Sequence, residues 1–400
     1  MTVAGDAGGS GSPQAPGRAL EGGWRGLRDR LLGDPAFRRW AARFPLTRAI
    51  ARRRAARAFD LVAGFVYSQV LAACVELDLL ETLARGPQAV ERLAARTDVP
   101  EEALRRLLDA AVAIDLLEWR AAGRVGLGSL GASLVGNAGV AAMVRHHRLL
   151  YDDLADPVAL LRRDRAEAGG GALARHWPYA TDAAPAAVDP DRVERYTALM
   201  AASQPLLAEQ VLDAYDFRRH RRLLDIGGGD GTFARAAAAR APALDIVVFD
   251  LPAVAEEARR RFAGWAGGAG GADGAVEGRV TVAGGDFFRD PLPRGCDVAT
   301  LVRVLHDHDD ARLRVLLRAA HDALVPGGTL VVAEPMAGTR GARAMGDAYF
   351  GFYLLAMGSG RPRSAARLGE LLADAGFGRV REAPTAVPLQ TRVLVAHRTL

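Results

Sequence analysis

The sequence predicts an α/β protein in which a mainly α-helical first half precedes a mostly parallel sheet with helices on both faces. Up to about residue 215 the apolar residues recur at helical spacing, whereas from residue 221 short apolar runs alternate with helical stretches. Such alternation is typical of a βαβ series, and hence of a parallel sheet. The chain has 400 residues, of which 50% are hydrophobic, and this length favours two domains.

Four regions follow from these patterns. We predict a disordered leader over 1–20, a helical, winged-helix-like domain over 21–135, a helical linker and substrate-pocket region over 136–215, and the sheet domain over 216–400. The winged-helix prediction rests on a helix–turn–helix pattern followed by a short hairpin in "WRAAGRVGLGSLG". This module binds DNA in many proteins and serves for dimerisation in others, and the pattern leaves both interpretations open.

The composition excludes several kinds of chemistry. The formal net charge is +5 and the chain contains no lysine, which excludes a lysine Schiff base and a Walker-type phosphate loop. Cys74 and Cys296 give neither a disulfide framework nor a zinc spacing. We therefore expect a reducing compartment, the cytoplasm.

An arginine-rich run, "RAIARRRAARAF" (48–59), has two interpretations. It is an exposed helix face, or it touches an anionic surface such as lipid or nucleic acid. GC-rich coding also produces a lysine-free, arginine- and alanine-rich chain, so we expect no nucleic-acid partner. Peripheral contact with the cytoplasmic face of the membrane stays open, whereas the apolar run 61–75 is too short and too polar to span a bilayer.

A glycine-rich turn joins a strand to a helix in "LLDIGGGDGTFARAAAA" (223–239). The spacing is D-x-G-x-G-x-G, with Asp225 first, and Thr232 breaks the dinucleotide fingerprint G-x-G-x-x-G. Residues without side chains let a ligand lie against the backbone at the carboxyl edge of the sheet. Asp225, at the end of the strand, can accept a hydrogen bond from a cationic amine.

Carboxylates end the next two strands as well. Asp250 in "VVFDLP" follows Asp225 by 25 residues and can accept both hydroxyls of a ribose. Asp286 in "GGDFF" ends the third strand. A glycine loop and two acidic strand ends in this order predict a cofactor site.

The stretch "RVLHDHDD" (303–310) combines two histidines with three aspartates. No third nitrogen or sulfur ligand lies at a suitable spacing, so we expect no metal. His306 falls at the carboxyl end of a strand and faces the site with Asp307, where an imidazole can act as a general base. Asp309 or Asp310 is expected to cap the following helix.

These motifs resemble those of the class I S-adenosylmethionine-dependent O-methyltransferases, the family that includes the caffeate and acetylserotonin enzymes. The matching stretches are "DIGGGDGTFA", "VVFDLPAV", "GGDFFRDPLP", "RVLHDHDD", "LVPGGTLVVAEP" and "LLADAGF". They span the C-terminal half, and the helical first half fits the family's dimerisation domain. The resemblance implies a Rossmann-like, seven-stranded sheet, S-adenosyl-L-methionine as the cofactor, and a homodimer.

The resemblance also implies roles for individual residues. His306 is the expected base, Asp307 its neighbour in the site, and Glu334 the group that orients it. His308 stands where the family has a tryptophan, and Pro362 in "RPRS" replaces a glutamate of the family's "E-R-T". The residues expected to bind the cofactor are Asp225, Gly227, Gly229, Asp250, Leu251, Asp286, Phe287, Arg303, Met200 and Ser203.

The expected acceptor pocket is apolar and roomy. Its predicted lining is His147, Tyr151, Trp177, Phe350, Tyr353 and Met357. The segments "RHHRLLYDDLADPVALLR" and "GDAYFGFYLLAMGSGRPRS" resemble one subgroup, the carotenoid O-methyltransferases of photosynthetic bacteria. Those enzymes methylate the tertiary C-1 hydroxyl of demethylspheroidene and hydroxyneurosporene, so the resemblance implies a carotenoid acceptor.

Three other functions stay open at this point. They are O-methylation of a small phenol, C-methylation of a tetrapyrrole ring, and transcriptional regulation by a winged helix with a vestigial methyltransferase fold. The candidate base favours an enzyme, because a sensor needs no base. Salt-dependent binding to duplex DNA would favour the regulator.

Overall fold

The computed structural model describes residues 17–163, 171–176, 203–266, 278–388 and 390–399. Of the predicted leader, residues 1–16 lie outside this range, and residues 17–20 are helical. The helices of the first half are α1 Gly17–Gly33, α2 Pro35–Arg43, α3 Arg48–Glu76, α4 Leu79–Ala84, α5 Val90–Thr97, α6 Glu101–Ala113, α7 Ser129–Leu134, α8 Ala138–Leu154, α9 Pro157–Arg162 and α10 Ala172–His176.

An antiparallel hairpin, β1 Leu117–Trp119 and β2 Val125–Leu127, follows α6, as the sequence predicted. Helix α6 buries Leu104 and Leu108, one turn apart, against the hairpin and the helices before it. The helix–turn–helix and hairpin therefore share one core.

Helix α3 extends well beyond the apolar run 61–75. It has 29 residues, and its most apolar window has a mean hydropathy of 1.7 with 11% of that window buried, so by length and composition alone it could cross a membrane. Its last turns belong to the core of the first domain, because Cys74 and Val75 are buried there. Arg145 of α8 also donates to the carbonyl oxygen of Val75 at 3.4 Å.

The second half forms the predicted mostly parallel, seven-stranded sheet. Its strands are β3 Arg222–Ile226, β4 Asp245–Asp250, β5 Val280–Gly284, β6 Cys296–Val302, β7 Leu324–Glu334, β8 Phe377–Ala383 and β9 Arg392–Arg398. The spatial order is β5-β4-β3-β6-β7-β9-β8, with β9 antiparallel to both neighbours. The helices are α11 (203–214), α12 Thr232–Arg240, α13 Pro252–Ala266, α14 Asp310–Ala323, α15 Phe350–Met357 and α16 Ala365–Asp374.

Strand β8 has no counterpart among the apolar runs of the sequence. It lies at the edge of the sheet, and its register shifts between Gly378 and Arg381. Arg379 has a φ of +50°, and only Phe377 and Ala383 are buried. A bulged edge strand loses the alternation that marks a half-buried strand.

The strand order positions the site. Strand β3 pairs with β4 on one side and with β6 on the other, which is the switch point where open α/β sheets bind ligands. Ile226 is paired with Leu301, and Val302 with Ala333. The loops after β3 and β6 and the end of β7 therefore meet at one edge.

Candidate active site

The loop after β3 requires glycine, because its backbone conformation is unfavourable for other residues and a Cβ atom would overlap with neighbouring atoms. Gly227 and Gly229 have φ of +70° and +60°, values that L side chains rarely adopt. A Cβ on Gly227 would lie 2.7 Å from a methyl carbon of Val304, and one on Gly228 would lie 2.6 Å from Oδ2 of Asp225. The loop presents its backbone to a ligand.

Asp225 is a buried carboxylate with one unsatisfied oxygen. Its Oδ1 accepts a hydrogen bond from Oγ1 of Thr300 at 2.7 Å, whereas Oδ2 has no partner among the described residues. Burial raises the pKa of Asp225 to about 7. An ammonium group that donated to Oδ2 would satisfy the oxygen and favour the ionised carboxylate. This fits the amino-acid end of S-adenosyl-L-methionine.

Asp250 ends β4 and reaches across to the glycine loop. Its Oδ2 accepts the backbone N–H of Gly229 at 2.8 Å, and its Oδ1 accepts that of Leu251 at 2.7 Å. Each carboxylate oxygen keeps a lone pair for a further donor, such as a ribose hydroxyl. Burial raises the pKa of Asp250 to about 6.

The turn after β5 carries Asp286 and places the rings of Phe287 and Phe288 against His308. Oδ1 of Asp286 accepts the backbone N–H of Phe288 at 2.9 Å, which holds the turn. The ring of His308 lies edge-on to Phe287 and Phe288, with centroids 5.7 and 4.9 Å away. Burial, helped by Arg312, lowers the pKa of His308 to about 3. The ring in place of the family's tryptophan is thus a neutral member of an aromatic cluster.

Arg303 and Ser203, two predicted cofactor residues from distant segments, are joined directly. Nη1 of Arg303 donates to Oγ of Ser203 at 2.7 Å, which connects α11 to the end of β6. Arg303 has a φ of +58°, a strained value for a residue with a side chain. Met200 lies outside the described residues.

The imidazole of His306 lies between two carboxylates. Nδ1 is 2.5 Å from Oε2 of Glu334, and Nε2 is 3.2 Å from Oδ1 of Asp307. Oε1 of Glu334 accepts the backbone N–H groups of Val304 and Leu305 at 2.9 and 2.6 Å, which fixes the carboxylate. Burial lowers the pKa of His306, but Asp307 and Glu334 outweigh it and raise the pKa above its ordinary value. Because Glu334 holds Nδ1, Nε2 is the nitrogen available for proton transfer.

Asp307 occupies the approach to Nε2, so an acceptor hydroxyl must come in beside it or displace it. Pro362 stands where the family has a second glutamate, in a segment that runs along the backbone of His306. The N–H of Arg361 donates to the carbonyl oxygen of His306 at 2.9 Å. In the described part of the chain, Glu334 and Asp307 are the carboxylates in contact with this imidazole.

Arg363 is a residue of the site that sequence reasoning missed. Its buried guanidinium donates to the carbonyl oxygens of Leu305 at 3.0 Å and His308 at 2.6 Å. It also pairs with Asp310 at 2.8 Å, while Asp309 caps α14. The sequence signal was its place in "RPRS", directly after the Pro362 that replaces the family's glutamate.

An aromatic wall adjoins the imidazole. A six-residue π-helical turn, a feature frequent at functional sites, ends at Tyr349 and leads into α15. The ring of Phe350 lies 5.8 Å from that of His306 and 5.1 Å from that of Tyr349. The hydroxyl of Tyr349 is 2.8 Å from Nε2 of His147, whose ring meets Tyr151 edge-on.

Burial keeps this wall uncharged, because it lowers the pKa of His147 and raises the pKa of Tyr349 to about 12. Tyr353 packs behind Tyr349, with ring centroids 5.7 Å apart, and its hydroxyl is 2.8 Å from Nε2 of His146. Met357 is buried in the apolar cluster between α8 and α15. Both residues were predicted to line the pocket, and in this structure they support its wall from the core. Trp177 lies outside the described residues.

Two families match the chain. Residues 151–378 match the O-methyltransferase domain and residues 59–137 the O-methyltransferase dimerisation domain. The chain belongs to the O-methyltransferase family. The first matched range begins inside the region predicted as linker and pocket (136–215), so the matched domain includes α9 and α10 together with the sheet.

Individual relatives agree with this assignment. Demethylspheroidene O-methyltransferase of Cereibacter sphaeroides is 42% identical over 369 residues, covering 92% of this chain and 94% of the relative. Acetylserotonin O-methyltransferase of Mus musculus is 34% identical over 328 residues, covering 80% and 83%. Human N-acetylserotonin methyltransferase in complex with S-adenosylmethionine superposes with a TM-score of 0.69 at 25% identity, covering 86% of this chain and 98% of that one.

The O-methyltransferase therefore uses S-adenosyl-L-methionine, and its residues fit that cofactor. The side-chain-free loop at Gly227 leaves room for the cofactor to lie close to the backbone. The unsatisfied oxygen of Asp225 can accept a hydrogen bond from its ammonium group, and Asp250 can accept further hydrogen bonds from its ribose. A dimerisation domain precedes this site in the chain.

Proposed function

We propose that this O-methyltransferase methylates the tertiary C-1 hydroxyl of an acyclic hydroxycarotenoid, such as demethylspheroidene or hydroxyneurosporene, with His306 as the general base. The observation that carries the proposal is the wall of uncharged aromatic side chains beside the imidazole. Such a wall suits an apolar acceptor. The 42% identity to demethylspheroidene O-methyltransferase supports the choice of carotenoid, and with it a role in carotenoid biosynthesis in a photosynthetic organism.

The bound cofactor supplies the methyl group and a neutral thioether as leaving group. The acceptor oxygen forms a bond to the methyl carbon as the carbon–sulfur bond breaks, and the hydroxyl proton passes to Nε2 of His306. Glu334, fixed by two backbone N–H groups, orients the imidazole and stabilises its protonated form. Positioning of the two reactants can supply about 7–11 kcal/mol of the barrier reduction.

The base contributes less than positioning does, typically about a 100- to 10,000-fold rate effect. A tertiary alcohol is far less acidic than a phenol, so the proton must leave as the carbon–oxygen bond forms. Two carboxylates beside one imidazole suit that demand, because they raise its pKa and hence its basicity.

An acceptor screen tests the substrate. Purified protein is incubated with methyl-labelled S-adenosylmethionine and, separately, with a 1-hydroxycarotenoid, caffeate, N-acetylserotonin or a tetrapyrrole. We expect label on the carotenoid as a C-1 methoxy group, located by mass spectrometry and NMR. Label on a phenol or ring carbon alone would overturn the acceptor and leave the O-methyltransferase family assignment untouched.

The role of His306 is tested separately. His306→Ala should bind the cofactor like the wild type and lose at least about a hundredfold in kcat. His397→Gln is the matched control and should keep its kcat, because His397 on β9 is paired with Thr329, five residues before Glu334 on β7 and away from the edge that carries the site. Unchanged turnover in His306→Ala would remove the residue from the base role.

A further inference from the structure

The segment 23–58, which we call the N-terminal arm, precedes the matched dimerisation domain. Its side chains are almost all exposed to solvent. The arm comprises most of α1, all of α2 and the first turns of α3. Within it only Ala41 is buried. A segment of this length that packs so little of its own surface presents that surface to something else.

Large apolar side chains of the arm are exposed at helical spacing. Trp24, Leu27 and Leu31 follow one face of α1, and Trp24 is 72% exposed. Phe37 and Trp40 of α2 and Phe44, the residue that follows it, form a row of rings with centroids 5.6 and 4.9 Å apart, and Trp40 is 51% exposed. Leu46, between α2 and α3, is 82% exposed.

The same segment concentrates the positive charge of the chain. It holds 11 of the 52 arginines and 2 of the 47 acidic residues, which leaves 41 arginines against 45 carboxylates elsewhere. All eleven arginines are exposed. Asp34 is used as the cap of α2, and among the described residues only Arg28 of the eleven forms an ion pair, with Asp29.

We propose that the N-terminal arm docks on an anionic bilayer surface. Tryptophan and leucine would enter the headgroup boundary, and the arginines would bind lipid phosphates. Nucleic acid is a poorer candidate partner, because the exposed apolar side chains of Leu46 and Trp24 would contribute nothing to the binding of its phosphates. Two copies of so basic a segment would repel each other at a two-fold contact. The inference rests on the arm alone and does not depend on the acceptor.

The exposed apolar stretch that follows on α3 is not part of this surface. This stretch lies within the dimerisation-domain match, so we expect a second copy of the chain to bury it. Its exposed apolar residues are Phe59, Leu61, Val62 and Phe65.

Vesicle sedimentation with the full chain tests the proposal. Phosphatidylcholine vesicles with and without phosphatidylglycerol are compared at low and high salt. The wild type should bind the anionic vesicles and lose binding as salt screens the charges. The combined variant R52Q/R53Q/R54Q/R57Q should lower the partition coefficient at least tenfold, because each arginine near the surface adds to the attraction by anionic lipids. W24A/W40A should also weaken binding.

The control R105Q/R106Q/R240Q/R259Q removes four exposed arginines outside the arm and should bind like the wild type. Equal binding to neutral vesicles, no binding, or equal losses in control and arm variant would each overturn the proposal. Light scattering of the arm variant measures its oligomeric mass, independently of vesicle binding. A changed oligomeric mass with unchanged vesicle binding would assign the arm to the subunit interface, and retention on duplex DNA without vesicle binding would assign it to nucleic acid.

Discussion

Nη1 of Arg363 donates to the carbonyl oxygen of Leu305 at 3.0 Å, across 58 positions of the chain. The same guanidinium donates to the carbonyl oxygen of His308, so it holds the backbone on both sides of His306 and Asp307. The position of the imidazole therefore depends on a side chain that does not touch it.

Replacing Arg363 by alanine should remove a donor from the carbonyl oxygens of Leu305 and His308 and leave Asp310 without its buried partner. We expect the free energy of unfolding to fall by about 3 kcal/mol or more. kcat should fall more than the affinity for S-adenosylmethionine does, because the imidazole of His306, the proposed base, moves while the glycine loop stays. Denaturant unfolding and steady-state kinetics measure both effects.

Arg367→Ala is the matched control, since Arg367 also pairs with Asp310 at 2.8 Å but donates to no carbonyl of the 305–308 segment. Its loss should cost less than about 1 kcal/mol. Equal effects of the two variants would show that the ion pair, and not the backbone contact, is what matters.

Glu334→Gln should shift the pH dependence of kcat/KM. Glu334 and Asp307 raise the pKa of His306, so the neutral, proton-accepting ring appears only as pH rises through that raised value. Without the Glu334 charge the pKa falls, and the rise in activity moves to lower pH. The plateau should drop at least about tenfold because the base is weaker. Glu382→Gln, at an exposed pair on β8, is the control, and an unmoved acid limb in Glu334→Gln would contradict the assignment.

Asp225→Asn should weaken binding of S-adenosylmethionine and flatten its pH dependence. Burial raises the pKa of Asp225 to about 7, so a cationic ligand should bind the wild type more tightly as pH rises through that value. Asparagine cannot ionise, and we expect an affinity loss of about tenfold or more, from the charge-assisted hydrogen bond. Calorimetric titrations at several pH values measure this. Asp245→Asn, at the exposed start of β4, should bind normally, and a variant of Asp225 with wild-type affinity would argue against the contact.

Gly360→Ala should damage the site by steric overlap. Gly360 has a φ of +77°, and a Cβ there would meet the carbonyl oxygen of His306 and lie 2.6 Å from the carbonyl carbon of Asp307. Gly338→Ala is matched in backbone strain, with a φ of +70°, but has no heavy atom within 4 Å of the added carbon. Activity should be lost in the first variant and retained in the second, and similar activities would show that the segment shifts freely.

Sequence reasoning reached the parts of the site that local patterns encode. Asp250 ends a buried strand, and Gly227 and His306 follow two others. Because the carboxyl ends of parallel strands share one edge, the proximity of these residues could be inferred without coordinates. Contacts between segments far apart could not be inferred. Arg363 reaches back to Leu305, and Tyr353 reaches His146 across 207 positions. Their partners are set by how the helices pack, which no local spacing records.

The neutral state of His308 limits the routes by which a proton taken up by His306 could return to solvent. In the proposed mechanism His306 would hold a proton after methyl transfer, and that proton must be released before the next turnover. With a pKa of about 3, His308 cannot accept it at neutral pH, and Glu334 is almost wholly enclosed. Asp307 is half-buried, touches Nε2 and has a raised pKa, so among the described residues it is the group suited to pass the proton to water. The approach path of the acceptor and the exit path of its proton then run past the same carboxylate, and product must leave before the base can recover.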